Sequence, residues 1–202
     1  MVERRVALVG GGVRSGKSAF AVELALTRGP RRIFVATARP SDDEMDARIE
    51  RHRRDRGGAF DTVEAPLALP EALASLADCD VVVVDCLTLW LSNLLLRGES
   101  AESILAQVDD VARVLARRRY DVVLVTNEVG MSIHPPTALG RAFVEVCGWA
   151  HQRIARVADE VYLAVLGVVL QVRPVFGAPA IGSSASTRMH EGAESPVKPA
   201  AR

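Results

Sequence analysis

The sequence predicts a three-layer α/β fold around a mostly parallel central sheet, and three observations point there. Apolar segments of strand length recur along the chain, several of them unbroken Val/Leu runs. Continuous rather than alternating apolar runs belong to strands buried on both faces, as in parallel sheets. Segments with helical apolar periodicity alternate with them, which implies crossover units. A glycine-rich turn joins the first strand to the first helix.

The first strand is expected over Val6–Gly10. Behind it, Gly11-Gly12-Val13-Arg14-Ser15-Gly16-Lys17-Ser18 matches G-x-x-x-x-G-K-[ST] in full. A helical pattern follows, with Ala19, Phe20, Val22, Leu24 and Leu26. Strand, loop and helix in this order make the expected fold P-loop NTPase-like. The glycines let backbone N–H groups close round a phosphate, and the helix N-terminus adds partial positive charge. Lys17 can reach the β- and γ-phosphates, and the Ser18 hydroxyl can ligate Mg2+.

The second strand is expected over Ile33–Ala36. Asp42-Asp43-Glu44 then reads as a helix start, with acids in the first turn. On that helix Met45, Ile49 and His52 share one face, and Arg48 lies one turn before His52. Arg51, Arg53, Arg54 and Arg56 surround the histidine. The cluster suits an anion such as a phosphate. From pattern alone, a half-buried structural histidine on a solvated basic helix is the simpler reading.

Val81–Asp85 is the next strand. Its terminal Asp85 belongs at the carboxyl edge of the sheet, where ligands of open α/β sheets bind. Asp85 can hold Mg2+ directly or through water, or cap the next helix. Ile104, Leu105, Val108, Val111, Ala112 and Leu115 form one helical stripe, and Val122–Thr126 a further strand. Thr126-Asn127-Glu128-Val129-Gly130 ends that strand on the same edge, as a polar site or as an ordinary strand-to-loop transition. It is not an N-K-x-D guanine reader. A second stripe runs from Leu139 to Val157, and the last apolar run is Val161–Val172. From Pro174 on, the chain is rich in Pro, Gly, Ala and Ser. One domain over 1–173 and a disordered tail over 174–202 are expected.

Composition narrows the function. The 202 residues are 49% hydrophobic and 25% charged, and 25 Lys+Arg balance 25 Asp+Glu. No overall field draws the chain to nucleic acid or anionic lipid. No apolar run reaches the roughly 20 residues of a membrane span. The segment MVERR leads into strand-like sequence without a signal-peptide apolar region. Cys79, Cys86 and Cys147 lack metal-ligand spacing, so reduced, buried thiols and a cytoplasmic location are expected.

Several further motifs accompany the loop: A-T at Ala36–Thr37, D-x-E-M-x-x-R-I-x-x-H at Asp42–His52, T-x-E at Thr62–Glu64, T-N-E-V-G at Thr126–Gly130 and A-D-E-V at Ala158–Val161. Together these closely resemble the bifunctional adenosylcobinamide kinase/adenosylcobinamide-phosphate guanylyltransferase family of cobalamin synthesis. The resemblance implies phosphorylation of the aminopropanol hydroxyl of adenosylcobinamide with ATP or GTP. It then implies transfer of GMP from GTP onto that phosphate, giving adenosylcobinamide-GDP and pyrophosphate. Carried over from the family, His52 is the covalent GMP carrier. Nucleotide contacts fall to Gly11–Ser18, Thr37, Arg48, Thr62, Glu64 and Asp85, and a homotrimer is implied. The sequence departs from the family at Arg56-Gly57 and Phe60, where the family usually has Arg-Pro and Trp. The alternative is a small-molecule P-loop kinase without guanylyltransferase activity. A nucleic-acid-associated NTPase fits the neutral charge and small size less well.

Overall fold

The computed structural model describes residues 3–39, 57–131 and 133–174. In chain order they form β1 (Val6–Gly11), α1 (Lys17–Leu26), β2 (Arg32–Ala36), a single 3-10 turn (Gly57–Ala59), β3 (Asp61–Glu64) and α2 (Leu69–Ser75). Then come β4 (Val81–Asp85), α3 (Leu87–Leu96), α4 (Ala101–Ala116), β5 (Asp121–Asn127), α5 (Ala138–Val157), β6 (Glu160–Val165) and β7 (Val168–Arg173). The strands form one sheet in the order β3-β2-β4-β5-β1-β6-β7. All neighbours are parallel except β6 and β7. This is the expected P-loop NTPase-like α/β fold.

The unbroken apolar runs are explained by cover on both faces. Val81 and Val83 of β4 pack on the α1 side with Val9, Ala21, Ala25 and Val125. Val82 and Val84 face the other way, against Leu73, Trp90, Ile104 and Ile154 of the remaining helices. All four valines are fully buried. The two helical stripes become α4 and α5. Each starts on a side-chain cap: Ser100 Oγ accepts from the Ser103 N–H at 3.1 Å, and Thr137 Oγ1 accepts from the Gly140 N–H at 3.1 Å.

The run Val161–Val172 is two strands, not one. Leu166 (φ 53°) and Gly167 (φ 81°) reverse the chain between Val165 and Val168, which face each other across the hairpin. Positive φ at both turn residues is the geometry of a two-residue hairpin loop that matches the strand twist. The sequence pattern also left α2, α3 and β3 unassigned. α3 buries Leu87, Thr88, Trp90, Leu91 and Leu94, so its apolar stripe is too broad to show a period. α2 spans only seven residues, and the edge strand β3 carries one apolar residue between Thr62 and Glu64.

Ion pairs tie the amino ends of the strands together. Buried Asp121 meets Arg4 at 3.1 Å, and buried Glu160 meets Arg28 at 2.5 Å. Arg31 pairs with Asp80 at 2.8 Å, and its hydrogen bonds hold the Asp80 carboxyl down at about 2. The carboxyl ends, by contrast, are left to loops. Cys79, Cys86 and Cys147 are free and buried, as the sequence suggested.

Candidate active site

The loop after β1 is shaped by two glycines with different tasks. Gly16 precedes α1 at φ 93°, a left-handed conformation that a side chain disfavours. Gly11 ends β1 where backbones converge: a Cβ there would stand 2.5 Å from the Ala164 carbonyl oxygen and 2.6 Å from Ser15 Oγ. Gly11→Ala is therefore expected to lower unfolding free energy by about 1–3 kcal/mol. Denaturant melts of the variant and the wild type check this, and equal stability would show that β6 yields freely.

Inside the loop the Ser15 N–H donates to the Gly12 carbonyl at 3.3 Å, and Lys17 Nζ donates to the same carbonyl at 2.9 Å. Lys17, the first residue of α1, is 6% exposed, so its ammonium lies folded over the loop. The buried Ser15 Oγ has no hydrogen-bond partner among the described residues. The loop thus holds an ammonium, a helix N-terminus and an unused hydroxyl donor, a set that suits a phosphate. Val13 and Arg14 are exposed at its tip, and Ser18 is half-buried in the first helical turn.

Asp85 ends β4 opposite Ala36 of β2 and Val125 of β5. It is half-buried and does not cap α3, whose N-cap is Cys86 without a side-chain bond. β5 lies between β4 and β1, so Asp85 stands two strands from the loop strand along the edge. Burial, with the charge of neighbouring Asp85, pushes the Cys86 thiol up to about 11, against the Thr88 hydrogen bond and a smaller pull from Lys17. Ser18 and Asp85 offer hydroxyl and carboxylate oxygens, the hard donors that Mg2+ takes together with water and phosphate oxygens.

Thr37 is completely buried, and Cys86 occupies its hydroxyl from both sides. Thr37 Oγ1 donates to the Cys86 carbonyl at 2.8 Å and accepts from the Cys86 N–H at 2.7 Å. Asn93 Nδ2 donates to the carbonyls of Thr37 and Pro66, both at 2.9 Å. This clip holds the ends of β2 and β4 in register, and it makes Thr37 a positioning residue for the turn after Asp85. Thr62 and Glu64 lie farther out, on the exposed face of β3. Val63 packs on the α2 side, so alternation turns Thr62 to the α1 side, while Glu64 at the strand end borders a cleft shared with Glu71, Ala72 and Ser75 of α2. Phe60, just before β3, meets Phe34 edge-on at 6.2 Å. Arg48 and His52 lie outside the described residues.

The T-N-E-V-G segment, ambiguous in the sequence, is drawn onto the loop. The Glu128 N–H donates to the Gly11 carbonyl at 3.0 Å, and the Asn127 N–H donates to Thr88 Oγ1 at 2.9 Å. The Glu128 carboxylate accepts from the Gly130 N–H at 2.8 Å. Thr126 Oγ1 lies 2.6 Å from His151 Nε2 of α5. Burial lowers the His151 pKa against the pull of Glu128, which favours a neutral ring. Thr88, Asn93 and His151 carried no sequence signal, because their partners are 25 to 56 residues away. Cys147 is pushed by burial up to about 12, so neither it nor Cys86 is a thiolate nucleophile.

A family model for "Cobinamide kinase / cobinamide phosphate guanyltransferase" matches residues 7–172. The chain belongs to this family. Among characterised members, it is similar to the bifunctional adenosylcobalamin biosynthesis protein CobP of Pseudomonas aeruginosa. The two are 38% identical over 167 residues, covering 82% of this chain and 96% of that protein. The bifunctional adenosylcobalamin biosynthesis protein CobU of Salmonella typhimurium is 38% identical over 179 residues, and that of Escherichia coli 36%. Each alignment covers 82% of this chain and 98% of the relative. The cobinamide kinase/guanyltransferase match thus takes in the phosphate loop, the Asp85 edge and the segment of Arg48 and His52. It ends within β7.

Proposed function

We propose that this protein phosphorylates adenosylcobinamide with ATP or GTP and then transfers GMP from GTP to the product, forming adenosylcobinamide-GDP. The observation that carries this reading is a complete phosphate loop, with Lys17 folded over it, in a chain that matches the bifunctional family over residues 7–172.

In the first step the substrate hydroxyl attacks the γ-phosphorus, and the nucleoside diphosphate leaves. Lys17 exchanges the Gly12 carbonyl for phosphate oxygens, and the loop N–H groups and Ser15 take the remaining charge. Ser18 and Asp85 are the residues that would hold Mg2+, which supplies charge neutralisation on the phosphates. In the second step an imidazole nitrogen of His52 attacks the α-phosphorus of GTP and pyrophosphate leaves. A phosphate oxygen of the cobinamide product then displaces the imidazole. Arg48, Thr62 and Glu64 are assigned to the nucleotide, and Thr37 to the placement of the Asp85 turn. We assign the protein to the cytoplasm as a homotrimer. No helix among the described residues is long and apolar enough to cross a membrane.

Incubation with adenosylcobinamide, ATP and GTP, with products identified by mass, tests the reading. The phosphate and the GDP derivative are expected in that order. The phosphate alone would reduce the protein to a kinase, and neither product would refute the reading. The segment 174–202 is assigned no part in either step, since its composition offers little apolar surface to dock. Truncation after Arg173 should leave the melting temperature and both rates within experimental scatter. A drop of several degrees would show that the segment packs on the fold.

A further inference from the structure

Four exposed large apolar side chains belong to loops at one half of the carboxyl edge, where the exposed apolar β6–β7 hairpin (Val165, Val168, Leu170, Val172) also begins. Val13 in the phosphate loop and Met131 after β5 are each 82% exposed. Ile133 and Leu166 are each 94% exposed. The four stand in three loops that leave the adjacent strands β5, β1 and β6. The Glu128 N–H bonds the Gly11 carbonyl, and a Cβ on Gly16 would lie 3.8 Å from Gly167 Cα. The other half of the edge, over β3, β2 and β4, carries Glu64, Thr37 and Asp85.

Leu166 is the telling member. It sits at φ 53° in a two-residue hairpin turn followed by Gly167, a position that asparagine or glycine fills with least strain. Its side chain gains no burial in return. The fold alone gives no reason for leucine there.

We propose that this apolar rim is the acceptor platform: the corrin ring of cobinamide lies over Met131, Ile133 and Leu166 with its side-chain hydroxyl directed to the phosphate loop. This rests on the function proposed above. The acceptor must meet the γ-phosphate at the loop, and Thr62, Glu64 and Asp85, assigned to the nucleotide and its Mg2+, lie over the opposite half of the edge. A broad ring with apolar faces and a polar amide rim suits a surface of exposed aliphatic groups, and covering that surface removes it from water. The rim is continuous with the loop through Val13 and Gly16, so the occupant is placed at the reacting phosphate.

The test uses Ile133→Ser and Leu166→Asn, singly and together, in the full chain. Cobinamide binding is read by equilibrium dialysis from corrin absorbance, alongside KM for cobinamide and for ATP, melting temperature and mass by sedimentation. The double variant should weaken cobinamide binding and raise its KM at least tenfold, with KM for ATP within twofold and mass unchanged. Leu166→Asn should also raise the melting temperature, since asparagine tolerates the left-handed turn. A merely structural leucine would not lose acceptor affinity while the fold gains stability. Cobinamide affinity within twofold of wild type overturns the proposal. So does a fall in mass, with or without a loss of affinity, because it makes the rim a contact between copies of the chain. If the wild type phosphorylates no cobinamide, the functional reading fails separately, and the dialysis comparison still decides the rim.

Discussion

Lys17→Ala is expected to reduce kinase turnover by about 100- to 1,000-fold while the protein stays folded. The ammonium is aimed into the loop, where charge shifts during phosphoryl transfer, and removing one such preorganised group costs about 3–4 kcal/mol of transition-state stabilisation. Its hydrogen bond to the Gly12 carbonyl is of the kind that contributes about 1 kcal/mol to the fold, so the change is expected to leave the protein folded. Steady-state rates at saturating ATP, with circular dichroism and melting curves on the same preparation, measure both effects. Turnover within a few-fold of wild type in a folded variant would remove Lys17 from the mechanism. Guanylyl transfer is expected to fall as well wherever GTP uses the same loop.

His52→Asn should abolish guanylyl transfer and leave most of the kinase step. Asparagine keeps polarity and approximate size but cannot form a phosphoramidate. Direct attack of the acceptor hydroxyl on the γ-phosphate needs no protein nucleophile. Wild-type protein incubated with α-labelled GTP and Mg2+ should take up one GMP per chain. The bond should be labile in acid and comparatively stable in base, unlike an acyl phosphate. Undiminished label in His52→Asn would assign the carrier to another residue. The described cysteines are poor substitutes, since burial holds the Cys86 and Cys147 thiols protonated. No label in the wild type would favour the kinase alone, and would point to Gly57 and Phe60 as the changes that accompanied loss of the second activity.

Local patterns carried much of this molecule. The phosphate loop is legible because its constraints are local: Gly16 must adopt a left-handed φ, and Lys17 must begin the helix. The strands β1, β4 and β5 are legible because burial on both faces demands unbroken apolar runs, and α4 and α5 because one face of each is buried. Tertiary structure alone decided which chain ends meet. Nothing in the sequence says that β5 separates β4 from β1, and so sets Asp85 two strands from the loop strand while bringing Glu128 against Gly11. Nor does it say that the Thr37 hydroxyl is occupied by Cys86, 49 residues away. The physical reason is that strand order and side-chain pairing are settled by the packing of both sheet faces at once. A sequence motif records only the conformational needs of its own few residues. The Leu166–Gly167 turn shows both sides: Gly167 marks it locally, but the exposure of Leu166 beside the phosphate loop exists only once β6 lies next to β1.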